Sequence, residues 1–306
     1  TLNKKISFSG VGVHNGRAVS MIVEPADIAT GIVFVRTDIK NNNVIKAVIE
    51  NTINSSLCTK IQNEHNISVS TIEHLMAAFH ALSIDNVIIK INNSELPALD
   101  GSSNEYVKKI IKSGIRSQSA SKSYLKVLRK IRVNDGKRYI SISPSNELTI
   151  DVSINYPGTI IGNSQFYYCH SKENFINDLS EARTYAFFED IEKMRVAGLA
   201  MGGNLNNALV IDKYRVLNPD GLKFEKEFVK HKTLDCVGDF YLTGMSLIGD
   251  VDCFAPGHKL NQMFVREILK DKKNYVIEKA MISEYPEKIY NVLTKDNPIE
   301  NVTYID

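Results

Sequence analysis

Little in this sequence is extreme, and what is scarce already narrows its nature. Four cysteines, Cys58, Cys169, Cys236 and Cys253, stand in 306 residues without a CxxC spacing. That excludes a disulfide framework and reads as unpaired thiols in a reducing compartment. Eight prolines and 17 glycines are too few for a collagen-like or Pro-rich chain. Charge of neither sign dominates: 37 Lys and Arg against 35 Asp and Glu leave a net +2, so electrostatics offers no case for a nucleic-acid or membrane-surface partner. No apolar run approaches the ~20 residues of a membrane helix, which sets the expectation of no integral membrane segment. Thr1-Leu2-Asn3-Lys4-Lys5 leads directly into Ile6-Ser7-Phe8 with no signal-type apolar region, and the expectation is a cytoplasmic protein. Hydrophobic residues at 43% and charged residues at 24% exclude a disordered chain, and the length suits roughly two domains.

Strand-like and helix-like segments alternate along the chain. The β-branched runs 18–24 and 31–35 read as strands. Ser70 three residues before Glu73 reads as a capping box, followed by Ile72, Leu75, Met76 and Phe79 at helical spacing. A strand is expected at 87–91, and a helix capped by Ser102 or Ser103 to about Lys112. The polar, Ser-rich stretch from Lys112 to Ser123 has no apolar period and is the expected boundary between domains. Beyond it, strands are expected at 124–133, 137–143 and 147–154, a helix capped by Ser171 to Leu179, a helix over 187–197 stopped by Gly198, a longer helix over 224–243, a strand at 246–254 and a helix starting by Lys259. Both halves mix strands with about two helices, which predicts two similar α+β layers packed together.

Several motifs bear on chemistry. Gly10-Val11-Gly12-Val13-His14-Asn15-Gly16 has Asn15 where a dinucleotide loop needs its third glycine, and a strand follows; it reads as a hairpin turn. His231 and Asp235 stand at i and i+4 on a predicted helix, so both can reach one point as ligands of a tetrahedral metal. A solvated helix face laced with Lys–Asp pairs is the plain alternative. A third ligand must come from elsewhere, and His74 is the natural donor. Gly238 inside the same helix costs about 1 kcal/mol against alanine and suggests close approach of another group. His258 follows a Pro-Gly turn at a helix start, a position suited to acid–base work if a carboxylate such as Asp239 keeps it charged. His14, His65, His80 and His170 read as structural or exposed. The apolar stretch 184–205, broken by Gly198, Gly202 and Gly203, reads either as core or as a wall for a long apolar ligand.

Taken together these motifs resemble one family, the UDP-3-O-acyl-N-acetylglucosamine deacetylases, zinc amidases of lipid A and hence lipopolysaccharide biosynthesis in Gram-negative bacteria. The resemblance runs from Gly10–His14 through Ser70-Thr71-Ile72-Glu73-His74-Leu75, Leu99-Asp100-Gly101-Ser102, Ala182-Arg183-Thr184 and Gly202-Gly203 to His231-Lys232-x-Leu234-Asp235-x-x-Gly238-Asp239 and Gly257-His258. One departure is Thr184-Tyr185-Ala186-Phe187 where Thr-Phe-Gly-Phe is expected. The resemblance implies an α+β fold of two related two-layer sandwiches (ribosomal protein S5 domain 2-like), each with an insertion, and the site between them. The domains would be 1–116 and 124–306, with a linker at 117–123. It implies one Zn2+ per chain on His74, His231 and Asp235, Glu73 as general base, His258 as general acid held by Asp239, Thr184 at the oxyanion and Lys232 at the substrate's polar head. An insertion at about 184–208 would form the acyl passage, with Tyr185, Phe187, Ile191, Gly203 and Leu205 against the substrate. The implied reaction removes the N-acetyl group of an acylated UDP-sugar, the committed step of lipid A biosynthesis, in a cytoplasmic monomer with no nucleic-acid partner. A zinc amidohydrolase of another N-acyl substrate, or a non-catalytic nucleotide-sugar or lipid binder, are the competing readings; intact Glu73 and His258 argue against the second.

Overall fold

The computed structural model describes residues 1–55 and 57–280; the chain's last stretch, part of the expected second domain, lies outside them. The first half runs through β1 (Ile6–Val11), β2 (Ala18–Pro25), β3 (Ile32–Arg36), β4 (Val44–Lys46), a small antiparallel sheet of β5 (Thr52–Ile53), β6 (Lys60–Gln62) and β7 (Ser68–Ser70), then helix α1 (Glu73–Ala81), β8 (Val87–Ile91) and α2 (Asn104–Ser113). The second half contains β9 (Ser123–Val127), β10 (Ile131–Asp135), β11 (Arg138–Ser143), β12 (Leu148–Tyr156), β13 (Gly162–Cys169) and α3 (Lys172–Asn174), which widens into a π turn over Phe175–Leu179. There follow β14 (Tyr185–Phe187), α4 (Phe188–Val196), β15 (Leu209–Asp212), β16 (Arg215–Val216), α5 (Glu227–Phe240), β17 (Ser246–Phe254), α6 (His258–Leu269) and β18 (Tyr275–Lys279).

The two halves repeat one plan. The first sheet has the order β1-β2-β8-β3-β4 and the second β10-β11-β17-β12-β13, with β9 paired to the start of β17 and β18 paired to β9. In each, the late central strand is antiparallel to one neighbour and parallel to the other: β8 to β2 and β3, β17 to β11 and β12. In each, one helix precedes that strand (α1, α5) and one follows it (α2, α6). Extra elements fall at the same point of the plan, β5–β7 before α1 and β14–β16 with α4 before α5.

The strands form where apolar residues alternate. Along β2, Val19, Met21 and Val23 are buried and their neighbours are not. All nine residues of α1 are buried, the mark of a helix enclosed on every side, and α1 packs on α5. Gly238 of α5 permits that contact. A Cβ there would overlap the Glu73 carbonyl oxygen and lie 3.0 Å from its carbon and 3.1 Å from the Ala77 nitrogen. His80, six residues beyond His74, points elsewhere: its Nδ1 donates to the Val237 carbonyl at 2.9 Å, and its ring stacks between Tyr241 and His170, a structural role as expected.

Some local expectations need correction. Ser70 does not cap α1; it ends β7, and its hydroxyl donates to the Ser94 carbonyl. The helix starts at Glu73 with no side-chain cap, so the capping-box pattern is overridden by strand pairing. The expected strand 124–133 is two strands, β9 and β10, interrupted at Leu128–Lys130, and β13 was not foreseen. Ser171 does cap its helix, accepting from the Asn174 nitrogen at 3.0 Å. All four cysteines are free, as expected.

The α1–α5 contact makes a direct prediction. Gly238→Ala must push two backbones apart and should destabilise the protein by about 3 kcal/mol, the upper range for overpacking, as read by denaturant unfolding. A loss below about 0.5 kcal/mol would show that the contact yields freely.

Candidate metal centre and active site

The i, i+4 spacing on α5 brings His231 and Asp235 together, and the crossing of α1 adds His74. One ligand atom of each lies within 4.8 Å of the others. His74 Nε2 is 3.7 Å and His231 Nε2 3.5 Å from the same oxygen, Asp235 Oδ1. The two imidazole rings stand nearly perpendicular, centroids 5.0 Å apart. Asp235 Oδ1 is buried and has no hydrogen-bond partner among the described residues. An orphaned carboxylate oxygen is costly unless something else satisfies it. His231 Nδ1 pairs with the Ala182 carbonyl at 3.0 Å. That fixes the tautomer and leaves Nε2 its lone pair. Two imidazole nitrogens and a carboxylate oxygen, aimed at one buried point, fit a divalent metal with an open position.

Electrostatics agrees. Burial, and then the neighbouring His231, hold His74 down to about 3, a neutral imidazole. Against the penalty of burial, His231 and Lys232 keep Asp235 well below the usual carboxylate range. Lys232 Nζ is 3.4 Å from Asp235 Oδ2 and lies over the Tyr185 ring.

Glu73 heads α1 beside His74. Its Oε2 accepts from the Thr59 nitrogen at 3.0 Å and its Oε1 faces His258 Nε2 at 3.7 Å. Burial, resisted by His258 and reinforced by Asp239 and Asp235, pushes Glu73 up to about 8. His258 opens α6, and its Nδ1 bonds Asp239 Oδ2 at 2.9 Å. Asp239 also accepts from Asn261 Nδ2 at 2.8 Å and from the Thr59 hydroxyl. Against burial, Asp239 and then Glu73 raise His258 to about 9, so the imidazole is cationic at neutral pH.

Thus Glu73, His74, Lys232, His231, Asp235, Asp239 and His258 converge. Tyr185 packs beside them, its ring 6.3 Å from His231 and 5.1 Å from Phe228, and Phe187 packs on Tyr156. Thr184 is held by its backbone, donating to the Gly101 carbonyl and accepting from the Leu209 nitrogen, both at 2.8 Å. The other residues expected against a substrate lie further along the chain. Ile191 sits on α4, a helix with no buried residue, and Leu205 is 43% exposed, so the apolar run 184–205 is not uniformly core. A Cβ at Gly203 would meet Ala200 first, 3.3 Å from its carbonyl oxygen; Gly202 is the more closely packed of the two, set against Val11, Gly12 and Gly16 at the hairpin turn. Backbone bonds from Met201 to His14 and from Gly202 to Val13 stitch the second-half insertion to that turn.

Sequence reasoning missed Thr59, whose nitrogen and hydroxyl serve Glu73 and Asp239 and which touches His258 Nδ1 at 3.2 Å. No spacing signals a threonine on a loop. It also missed Glu95, which accepts from the His14 and Asn15 nitrogens and so shapes the turn. His14 itself has a buried Nδ1 with no hydrogen-bond partner among the described residues; burial holds its ring below the ordinary histidine value, with Glu95 opposing and the charge of His258 adding to the effect.

A family model described as LpxC, UDP-3-O-acyl N-acetylglycosamine deacetylase, matches residues 1–270. The chain belongs to this family. Similar proteins named UDP-3-O-acyl-N-acetylglucosamine deacetylase include one from Shewanella oneidensis, 42% identical over 271 residues, covering 88% of this chain and 89% of the relative. One from Shewanella piezotolerans is 40% identical over 279 residues, 90% and 91% of the two chains. One from Campylobacter fetus is 39% identical over 290 residues, 95% and 97%. The mixed α+β architecture is that expected of the LpxC family, and no helix among the described residues is long and apolar enough to cross a membrane.

The His258–Asp239 pair carries its own test. Asp239→Asn removes the carboxylate that most opposes burial, so the His258 pKa should fall from about 9 toward or below the ordinary histidine value of about 6.5. An NMR titration of the His258 ring reads it directly, and an unchanged pKa would mean that Glu73 alone holds the charge.

Proposed function

We propose that this chain hydrolyses the N-acetyl group of UDP-3-O-(3-hydroxyacyl)-N-acetylglucosamine, giving UDP-3-O-(3-hydroxyacyl)-glucosamine and acetate in lipid A biosynthesis, with one Zn2+ held by His74, His231 and Asp235. Membership of the family supports the reaction. The observation that carries the mechanism is the partnerless Asp235 Oδ1 facing two imidazole nitrogens. A zinc ion there would supply Lewis acidity, lowering the pKa of water from about 15.7 to about 7 and polarising an amide carbonyl. Two imidazoles and a carboxylate also accept iron(II) or cobalt(II), and metal analysis of the purified protein distinguishes them.

The remaining work falls to the chain. Glu73, buried and held by Thr59, takes the proton of the attacking water. The hydroxyl of Thr184 and the cationic ring of His258 stabilise the oxygen on which charge develops. His258 then delivers its proton to the departing glucosamine nitrogen as the C–N bond breaks, because an amide anion cannot leave. Asp239 keeps His258 charged for that step. Lys232 meets the polar head of the substrate. Tyr185, Phe187, Ile191, Gly203 and Leu205 border the acyl chain along the 184–208 insertion. All of these groups come from one chain, so the site needs no second copy; the proposed enzyme is a monomer of the cytoplasm, built as two units, 1–116 and 124–306, joined at 117–123.

Glu73→Gln should keep the metal yet lower kcat by about 10²–10⁴. The kcat/KM profile should be bell-shaped, with Glu73 needed deprotonated on the acid limb and His258 protonated on the alkaline limb. A bound dication lowers both pKa values, so the limbs should fall below the metal-free values of about 8 and about 9. If His258→Ala keeps both the rate and the alkaline limb, the acid assignment fails. For the passage, Gly203→Leu should raise KM for a long-acyl substrate more than for a short-acyl analogue; equal effects would sink that reading.

A further inference from the structure

We infer that Arg183 and Glu227 are positioning residues for the metal centre: they lock the peptide group whose carbonyl orients His231. The inference rests on the reading of His231 as a ligand. Glu227 is the first residue of α5 and fully buried, and Arg183 immediately precedes Thr184. Their contact is a fork, Arg183 Nε to Glu227 Oε1 at 2.7 Å and Nη2 to Oε2 at 3.1 Å. Two further bonds tie the pair to the loop before α5, Arg183 Nη2 to the Gly221 carbonyl and the Lys223 nitrogen to Glu227 Oε2, both at 2.8 Å.

The decisive contact is a fifth one. The backbone nitrogen of Arg183 donates to Glu227 Oε1 at 3.2 Å. That N–H and the Ala182 carbonyl belong to one planar peptide unit. The carbonyl accepts from His231 Nδ1 at 3.0 Å. Glu227 and His231 are i and i+4 on α5, neighbours on one face. One helix therefore grips a single peptide plane at both its ends, and the orientation of the plane decides which way the His231 ring turns. Thr184 N, in the following peptide, is held in turn by the Gly101 carbonyl at 2.8 Å.

A buried ion pair is weak grounds for stability, since desolvation offsets much of the Coulomb gain. Its use here is geometric. Partners behind a metal-binding histidine fix its tautomer and direction, and their loss typically costs 10–100-fold in metal affinity. An Arg fork with a matching carboxylate does this where a point charge would not.

The test uses Glu227→Gln and the milder Arg183→Lys in the full chain, the latter guarding against misfolding of the former. In metal-free protein, ¹⁵N NMR of His231 should show the parent with its proton on Nδ1 and both variants with mixed tautomers. Zn2+ titration against a chelator should give a Kd raised about 10–100-fold in Glu227→Gln and less in Arg183→Lys. Parent-like tautomer and Kd in a variant whose Tm has dropped would overturn the inference and leave the pair a purely structural one. If the parent itself binds no Zn2+, the metal reading fails, while the tautomer measurement still decides whether the peptide is held by this pair.

Discussion

The site depends on two backbones being allowed to touch. Where α5 crosses α1, position 238 has no side chain, and the Glu73 peptide fills the space that a Cβ would take. That one contact sets the separation of the two helices. Glu73 and His74 ride on one of them, His231, Asp235 and Asp239 on the other, so the distances between these five groups follow from this crossing. A helix-interior glycine costs about 1 kcal/mol in propensity, and here that cost is what permits the encounter.

The doubled plan of the fold explains which groups meet. α1 and α5 occupy the same place in the two sheet orders, each just before the late central strand. They pack on each other, which turns the equivalent helices of two halves into the facing walls of one site. The halves then diverge in chemistry. The first contributes a carboxylate held by Thr59 and one imidazole; the second contributes the i, i+4 pair and the charged His258 with Asp239 behind it. The surroundings raise both groups, by different means. Glu73 is raised chiefly by burial, whereas His258 resists burial because two carboxylates face it.

Much of this was legible in the sequence where periodicity and chemistry coincide. The spacing of His231 and Asp235 on a helix, the odd glycine at 238 and the helix start at His258 each point to a local geometry, and the structure realises each, although Pro256-Gly257 forms no turn, Gly257 being extended. Legibility ended where the information is tertiary. The Ser70–Glu73 pattern looked like a cap, yet Ser70 is claimed by a strand and Glu73 by the Thr59 nitrogen. Thr59 supplies two hydrogen bonds to the site from a loop with no pattern of its own. The apolar run 184–205 could not be divided by composition into its half-buried start, an exposed helix and a loop seated on the first hairpin, because that division depends on what the other half of the chain brings alongside.

The stitch between the second-half insertion and the turn at 12–16 is made by main-chain atoms, Met201 to His14 and Gly202 to Val13. Main-chain anchors are indifferent to the identity of most residues that carry them, Gly202 excepted. The insertion can therefore change its apolar side chains while its attachment to the scaffold stays the same. On the proposed reading of this insertion as the acyl passage, substrate range would be free to drift without disturbing the groups proposed to break the bond.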